Sequence, residues 1–117
     1  MATVNKIIER VDSLRRNVFE DEDKGRWILE VESRVCNEIL KKKFELKFPE
    51  DGDRELALPD EESAIYEYYV YCMIDWHNRE YSAYNNDFIM FNSLWDTLLK
   101  KYGKIITKKN KFINIVP

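Results

Sequence analysis

The chain has 117 residues, of which 44% are hydrophobic and 35% are charged, and its formal net charge is −3. A chain of this length forms one domain that can bury roughly two thirds of its unfolded surface, and three glycines and three prolines are too few for a many-turned β fold. No run of about 18 apolar residues could span a membrane, and the first ten residues include Lys6, Glu9 and Arg10 rather than the apolar stretch of a signal peptide. We therefore expect a protein that stays in the cytoplasm where it is made.

The N-terminal part of the chain predicts two helices. Thr3 can cap the first, because its hydroxyl can accept a hydrogen bond from an unpaired N–H group of the first turn. The second starts at the acidic cluster Glu20–Asp23, where negative charge favours a helix N-terminus, and continues to about Lys42. Apolar residues recur at helical spacing in both segments. They are Val4, Ile7, Ile8, Val11 and Leu14 in the first helix, and Trp27, Ile28, Val31, Val35 and Ile39 in the second.

The apolar pattern changes to a period of two after the second helix. Phe44, Leu46 and Phe48 alternate with charged residues, and Leu56 and Leu58 continue the alternation beyond a turn sequence at 49–53. We therefore expect a small β-hairpin at about residues 44–58. Because two strands are marginally stable alone, this hairpin should lie on the helices or pair with the edge of another chain.

Two further helices are predicted after the hairpin. The third runs from Asp60 to Tyr84, and Asn85-Asn86-Asp87 breaks the chain before the fourth. The apolar stripe of the fourth helix consists of Phe88, Phe91, Leu94, Trp95, Leu98, Leu99 and Tyr102. Gly103 suits the position after a helix end, because glycine tolerates positive φ.

These elements define one domain and a tail. The sequence predicts a mostly α-helical, four-helix bundle-like domain at residues 1–103, with the hairpin between its second and third helices. Residues 104–117 should form a basic C-terminal tail that is extended or partly disordered and becomes ordered on a partner.

Most of the chain's aromatic residues fall in the third and fourth helices. At 100° per residue, the apolar side chains of the third helix form two neighbouring arcs and leave only a narrow polar strip. A monomer of this size needs one arc for its core, so the other indicates contact with a second subunit, where tyrosine is common. The predicted subunit-interface residues are Tyr66, Val70, Ile74, Tyr81 and Tyr84.

The sequence offers little material for catalysis. His77 is the only histidine, so a nucleophile with a histidine base has no second candidate, and we interpret His77 as a helix-interface or protein contact. Cys36 and Cys72 lack the spacing of a metal site and should be free thiols. We expect no catalytic residue, no metal and no cofactor.

The C-terminal tail is strongly basic. Six lysines follow Asp96 with no acid among them, so residues 1–96 carry a net charge of −9. One interpretation is a tail that docks on a partner protein, with Lys108, Lys109, Lys111, Phe112 and Ile113 as its contacts. The alternatives are a small DNA-binding or regulatory protein that uses these lysines on phosphates, and a tail that only increases solubility.

Several short motifs carry a family resemblance. They are Trp27-Ile28-Leu29-Glu30-Val31-Glu32, Ile65-Tyr66 with Tyr69, Ile74-Asp75 with Asn78 and Glu80, Tyr84-Asn85, and Phe91-Asn92. In these residues the chain resembles the small head-to-tail connector proteins of long-tailed bacteriophages and prophages. The resemblance covers roughly residues 5 to 103 and includes no catalytic signature.

The resemblance implies a structural virion protein that assembles in the cytoplasm of a bacterial host. Such a subunit joins a homo-oligomeric ring, docks on the portal protein, and bridges it to the neighbouring head-tail adaptor, with DNA only as the contents of the channel and no membrane partner. It also implies structural hydrogen bonds at the junction of the third and fourth helices, from Asp75, Asn78, Glu80 and Asn85.

Overall fold

The computed structural model describes the backbone of residues 1–109 and the side chains of residues 1–103. It contains four α-helices, a π-helical segment that continues the second helix, and a 3-10 turn. They are α1 (Val4–Leu14), α2 (Asp21–Arg34), the π segment (Val35–Leu40), the 3-10 turn (Asp60–Glu62), α3 (Ala64–His77) and α4 (Tyr81–Lys109). The mostly α-helical class is confirmed, and no strand occurs within residues 1–109.

The first two helices form much as their patterns predict. Thr3 caps α1, since its Oγ1 accepts a hydrogen bond from the Lys6 N–H at 3.2 Å. The predicted inward residues of α2 and the π segment are all buried, and so are those of α1 with one exception. Leu14 shares the helical spacing of these residues, but it is the last residue of α1 and is 72% exposed.

Helix α3 is the central helix and is covered on almost every side. Most of both apolar arcs packs within the chain, and part of the strip predicted to be polar is buried as well, namely Glu67, Tyr71 and Asp75. The core that surrounds it comprises Ile7, Val11, Ile28, Val31, Val35, Ile65, Tyr66, Val70, Ile74 and Phe91. One arc of α3 is therefore not enough to form the core, because α1, α2 and α4 all contact α3.

The break between α3 and α4 lies seven residues before its predicted position. Arg79 has a φ of 60°, and its N–H donates to the Trp76 carbonyl while the Glu80 N–H donates to the Asp75 carbonyl. This pair of hydrogen bonds is a Schellman motif with arginine where glycine is usual. The predicted break at residues 85–87 instead lies inside α4.

The structure does not support the predicted β-hairpin. Residues 44–58 contain no strand, and the one bridge in this region joins Glu55 to Thr3 in antiparallel fashion. The Leu56 N–H donates to the Ala2 carbonyl at 2.8 Å, so the second arm pairs with the N-terminus rather than with the first arm.

Packing on different parts of the helical body keeps the two arms apart. Leu56 and Leu58 are buried in the core, at 3% and 1% exposure. The ring of Phe48, on the first arm, lies so close to α2 that a Cβ built on Gly25 would be 2.5 Å from it. Each arm therefore gains apolar burial on the helices, which outweighs a two-stranded pairing that is marginal by itself.

The last helix is longer than expected. α4 passes through Gly103 and is described as far as Lys109, so Gly103 does not terminate it and the first part of the predicted extended tail is helical. The part of α4 just before Gly103 is held to the 3-10 turn. Lys101 Nζ and the Tyr102 hydroxyl donate to the Glu62 carboxylate at 2.9 and 2.5 Å. Residues 110–117, and the rest of that prediction, lie outside the described residues.

Candidate interaction surface

Four aromatic rings form a continuous, partly exposed surface at the junction of α3 and α4. Trp76 contacts Tyr81 and Tyr84, with ring centroids 5.5 and 5.3 Å apart, and Tyr84 contacts Phe88 at 5.6 Å. Trp76 is 53% exposed, Tyr81 51% and Phe88 41%, whereas Tyr84 is half-buried. We call these four residues the aromatic surface. A contiguous apolar patch of this kind is typical of a protein-binding site.

Local structure places these rings together. The left-handed turn at Arg79 reverses the chain within three residues, which brings Trp76 at the end of α3 beside Tyr81 at the start of α4. Tyr84 and Phe88 are one helical turn apart and therefore lie on the same side of α4. The next two residues, Ile89 and Met90, are also exposed and extend the apolar area around the helix.

A buried charged joint lies behind the aromatic surface. Arg15, which follows α1, donates from Nη1 to Asp75 Oδ1 of α3 at 2.7 Å and to Asp87 Oδ2 of α4 at 2.9 Å. Its guanidinium also stacks over the Tyr71 ring, 4.4 Å from the centroid. One side chain thus ties three helices together, and we call Arg15, Asp75 and Asp87 the charged joint.

The protonation of Asp75 is shifted by this environment. Its side chain is fully buried, and burial together with the adjacent Asp87 carboxyl group raises its pKa to about 7, although the Arg15 guanidinium lowers it. Asp75 Oδ2 has no hydrogen-bond donor among the described residues. A proton on this oxygen, directed at Asp87, would satisfy both carboxyl groups. The joint has the chemistry of a structural proton-sharing pair.

A second buried network involves a tyrosine that was predicted to face another subunit. The Tyr66 hydroxyl donates to Glu32 Oε1 at 2.6 Å, and the other oxygen of that carboxylate accepts the Ala57 N–H at 2.8 Å. Burial, and next the negative charge of Glu32, raise the pKa of Tyr66. This network joins α2 to α3 and to the second arm of the 44–58 segment.

The predicted subunit interface is therefore corrected in part. Tyr66 and Val70 are 0% exposed and Ile74 is 1% exposed, because α3 is surrounded by the other helices of its own chain. These three residues offer no surface to a neighbour. Tyr81 and Tyr84 do belong to the aromatic surface, while Trp76 and Phe88 were not among the predicted interface residues.

The residues expected to make structural hydrogen bonds behave differently from one another. Asp75 does so through its side chain, in the charged joint. Asn78 and Glu80 take part through their backbone N–H groups, which donate to Ile74 and Asp75 at the α3 terminus. Asn85 is exposed on α4, and its side chain makes no hydrogen bond with the described residues.

His77, Cys36 and Cys72, the other residues considered for catalysis or metal binding, pack against or within the helical body. His77 lies 2.8 Å through Nδ1 from the Met73 carbonyl, and its ring packs against Phe19 and Trp27. Cys36 and Cys72 are buried free thiols, and burial raises the pKa of Cys72 to about 12. Within the described residues there is no cluster of three metal-ligating side chains. No helix in that part of the chain is long and apolar enough to cross a membrane.

The structure describes only part of the predicted docking tail. Lys108 and Lys109 are the last residues of α4, and their side chains are not described. Lys111, Phe112 and Ile113 lie outside the described residues, so the docking role of the tail stays a prediction.

Comparison with protein-family models, with curated proteins and with solved structures finds no match to this chain. Its class therefore rests on the fold and the surface alone. Over the described residues it is an all-α protein whose aromatic surface is exposed and whose titratable core groups, Arg15, Asp75, Asp87 and Glu32, hold helices together.

Proposed function

We propose that this chain is a non-enzymatic structural subunit that binds other proteins through the aromatic surface. In its specific form, the proposal is a head-to-tail connector of a bacteriophage or prophage, which docks on the portal ring and bridges it to the tail. The observation that carries it is the exposed, mutually contacting set of Trp76, Tyr81, Tyr84 and Phe88. The resemblance of the sequence motifs to connector proteins supplies the partner.

The composition of the surface favours a protein partner. Aromatic rings provide large contact areas at a small cost in side-chain entropy, and tyrosine and tryptophan are the residues that most often dominate binding energy at protein interfaces. Truncating one such residue at the centre of an interface costs about 2 kcal/mol or more. Tyrosine also suits a surface that is exposed in the free subunit, because its hydroxyl stays hydrogen-bonded to water.

The rigidity of the junction supports the same role. The charged joint fixes α1, α3 and α4 directly behind the rings, and the Schellman motif at Arg79 fixes the angle between α3 and α4. A surface held in its binding geometry before contact loses less entropy on association. A ring subunit also needs different contacts on its two flanks, because a heterologous interface closes by rotation.

Co-purification with the portal ring tests the proposed function. The full chain would be co-expressed with a bacteriophage portal protein from the same genome, and the complex would be isolated through a tag on the portal. We expect the chain to elute with the ring at a fixed stoichiometry, and to do so at high salt as well, because apolar burial is insensitive to screening. A chain that binds neither the portal nor the adjacent adaptor would refute the connector assignment.

The alternative function, DNA binding through the lysines after Asp96, is separated by a salt titration with duplex DNA. Neutralising several phosphates would make the affinity fall steeply as salt concentration rises. Tight binding at low salt with such a slope, together with no affinity for the portal, would favour that function over the connector.

A further inference from the structure

The first arm of the 44–58 segment behaves like a strand that has no partner. Burial alternates along it, with Phe44, Leu46 and Phe48 half-buried and the residues between them exposed. The backbone N–H and C=O groups of Phe44, Glu45 and Leu46 make no hydrogen bond with any described residue. Unpaired backbone groups along an extended arm are the feature by which a sheet edge accepts a further strand.

A groove runs beside this arm. It has a volume of about 850 Å³ and lies between the arm and α2. Its apolar lining is Leu29, Phe44, Leu46, Phe48 and Tyr69, and Glu22, Arg26, Glu30 and Arg34 of α2 form its charged rim. All five apolar side chains are only half-buried, so an occupant would remove further apolar area from water.

The charges at the two ends of the groove differ in sign. Glu22 is the rim residue at the Phe48 end, where Phe48 covers Gly25 about one turn further along α2, and Arg34 is the rim residue at the other end. A basic segment with alternating apolar residues would therefore enter with its lysines at the Phe48 end. Electrostatic complementarity of this kind fixes the orientation of a bound segment.

We propose that the groove binds the C-terminal segment of a neighbouring copy, residues 111–116, as an added antiparallel strand. Lys111 would reach Glu22, Ile113 would lie beside Leu46, and Ile115 beside Phe44. The inference deepens the proposed function and depends on it for one point, that several copies of the chain come together in a ring.

The length of α4 explains why the strand comes from another copy. Arg34, on the rim of the groove, stacks on Trp95 of α4 with its guanidinium 4.6 Å from the ring. From Trp95 the helix continues fourteen residues to Lys109, which is about 21 Å. Only Asn110 separates that end from the proposed strand, and one residue spans at most about 3.6 Å. Because α4 also runs away from the groove, from Phe91 beside the groove residue Tyr69 to Tyr102 beside Glu62, the segment cannot return to its own groove.

Hydrogen exchange with a peptide tests the site directly. The probe is a synthetic peptide with the sequence of residues 108–117, added in excess to the full chain. We expect slower amide exchange within residues 44–46, because strand addition gives unpaired N–H groups of this stretch partners. The matched control peptide carries Lys108→Gln and Asn110→Asp, both outside the proposed strand, and the disrupting peptide carries Ile113→Asp and Ile115→Asp. Both lower the peptide charge by two, yet only the second should weaken binding, by about tenfold or more.

A cross-link then tests register and the origin of the strand. Pairing Ile113 with Leu46 places residue 114 opposite residue 45, so Glu45→Cys and Asn114→Cys in one chain should oxidise to disulfide-linked ladders of several chains. Each single variant serves as the control for the native Cys36 and Cys72. A disulfide within one chain would overturn the assignment to a neighbouring copy.

The remaining outcomes also decide the question. Absence of peptide binding and of protection at residues 44–46 would overturn the inference. So would variants with Ile113→Asp and Ile115→Asp that assemble normally but lose the portal, since the tail would then dock on the portal. The portal co-purification does not require this groove, so the connector function can survive if the groove proposal fails.

Discussion

Arg15 Nη1 lies 2.7 Å from Asp75 Oδ1, although the two residues are 60 positions apart in the chain. The same guanidinium nitrogen reaches Asp87 at 2.9 Å, so the end of α1 is joined to both helices that carry the aromatic surface. Two carboxyl groups thus share one half-buried cation, and the stability of the junction should depend on that balance of charge.

The first prediction concerns pH. Burial, reinforced by Asp87, raises the pKa of Asp75 from 3.8 to about 7 in the folded chain. A carboxyl group with a raised folded pKa favours folding most below its unfolded pKa, and this contribution is lost as pH rises towards the folded pKa. Asp75→Asn should remove the loss, because the amide stays neutral and can still accept from Arg15 and donate to Asp87.

Urea unfolding of both proteins from about pH 4 to pH 8 measures the effect. The free energy of unfolding of Asp75→Asn, relative to the native chain, should increase with pH and level off above about pH 7. A difference that stays constant across this range would show that Asp75 does not hold its proton in the fold.

The second prediction is that Arg15 stabilises the fold through its two carboxylates. Arg15→Ala leaves Asp75 and Asp87 without a cation, and removal of one partner from a largely buried pair costs about 3 kcal/mol. Arg16→Ala is the matched control, because Arg16 is exposed and pairs with no described residue, so its effect should stay within about 0.5 kcal/mol. Thermal and urea unfolding of the two variants would reveal whether their stabilities are similar, which would contradict the prediction.

The third prediction compares two glycines inside helices. Alanine normally stabilises a helix interior by about 0.5–1 kcal/mol relative to glycine. At Gly25 the added Cβ would meet the Phe48 ring at 2.5 Å, so Gly25→Ala should destabilise the chain by about 1–3 kcal/mol. At Gly103 nothing lies within 4 Å, so Gly103→Ala should stabilise it. Shifts of the same sign in the free energy of unfolding would contradict this contrast.

The fourth prediction concerns the buried Tyr66 hydroxyl. Tyr66→Phe removes the donor to Glu32 Oε1 in the core, and an unsatisfied buried acceptor costs about 1–3 kcal/mol. Tyr69→Phe removes a hydrogen bond of similar length, to Glu30 at the surface, where water can replace the donor. Its cost should be below about 0.5 kcal/mol. If Tyr66→Phe is as mild as Tyr69→Phe in urea unfolding, the network contributes no stability.

Local patterns were sufficient for the first half of the helical fold. The capping hydroxyl of Thr3 and the helical spacing of apolar residues in α1 and α2 depend only on neighbours in sequence, and both were confirmed. The break after α3 was not predicted, because the left-handed position at its end is occupied by Arg79 and not by glycine, the residue usual there. The hairpin prediction failed because period-two burial does not reveal whether an arm pairs with a strand or packs on a helix.

The candidate site was predictable only in part. Tyr81 and Tyr84 were recognised as surface, but the burial of Tyr66 follows from α1, α2 and α4 all packing around α3, which no single-helix pattern shows. The charged joint could not be found at all, since an arginine after a helix end and two aspartates far along the chain are each ordinary in their local context. Long-range partners of this kind emerge only from the tertiary structure.

The fifth prediction addresses the aromatic surface itself, through the affinity of exposed-residue variants for the portal ring. Trp76→Ser with Tyr81→Ser removes two half-exposed rings without touching the core. The matched control is Leu14→Ser with Val18→Ser, which removes apolar side chains that are 72% and 92% exposed and lie outside this surface. Unfolding measurements on both variants would establish that each remains folded.

The ratio of dissociation constants of these two double variants, measured on the same immobilised portal ring, is the decisive number. We expect the Trp76 and Tyr81 variant to bind at least about thirtyfold more weakly than the control, the loss of about 2 kcal/mol typical of a central interface residue. Equal affinities for the two variants would contradict the assignment of this surface as the site of partner binding.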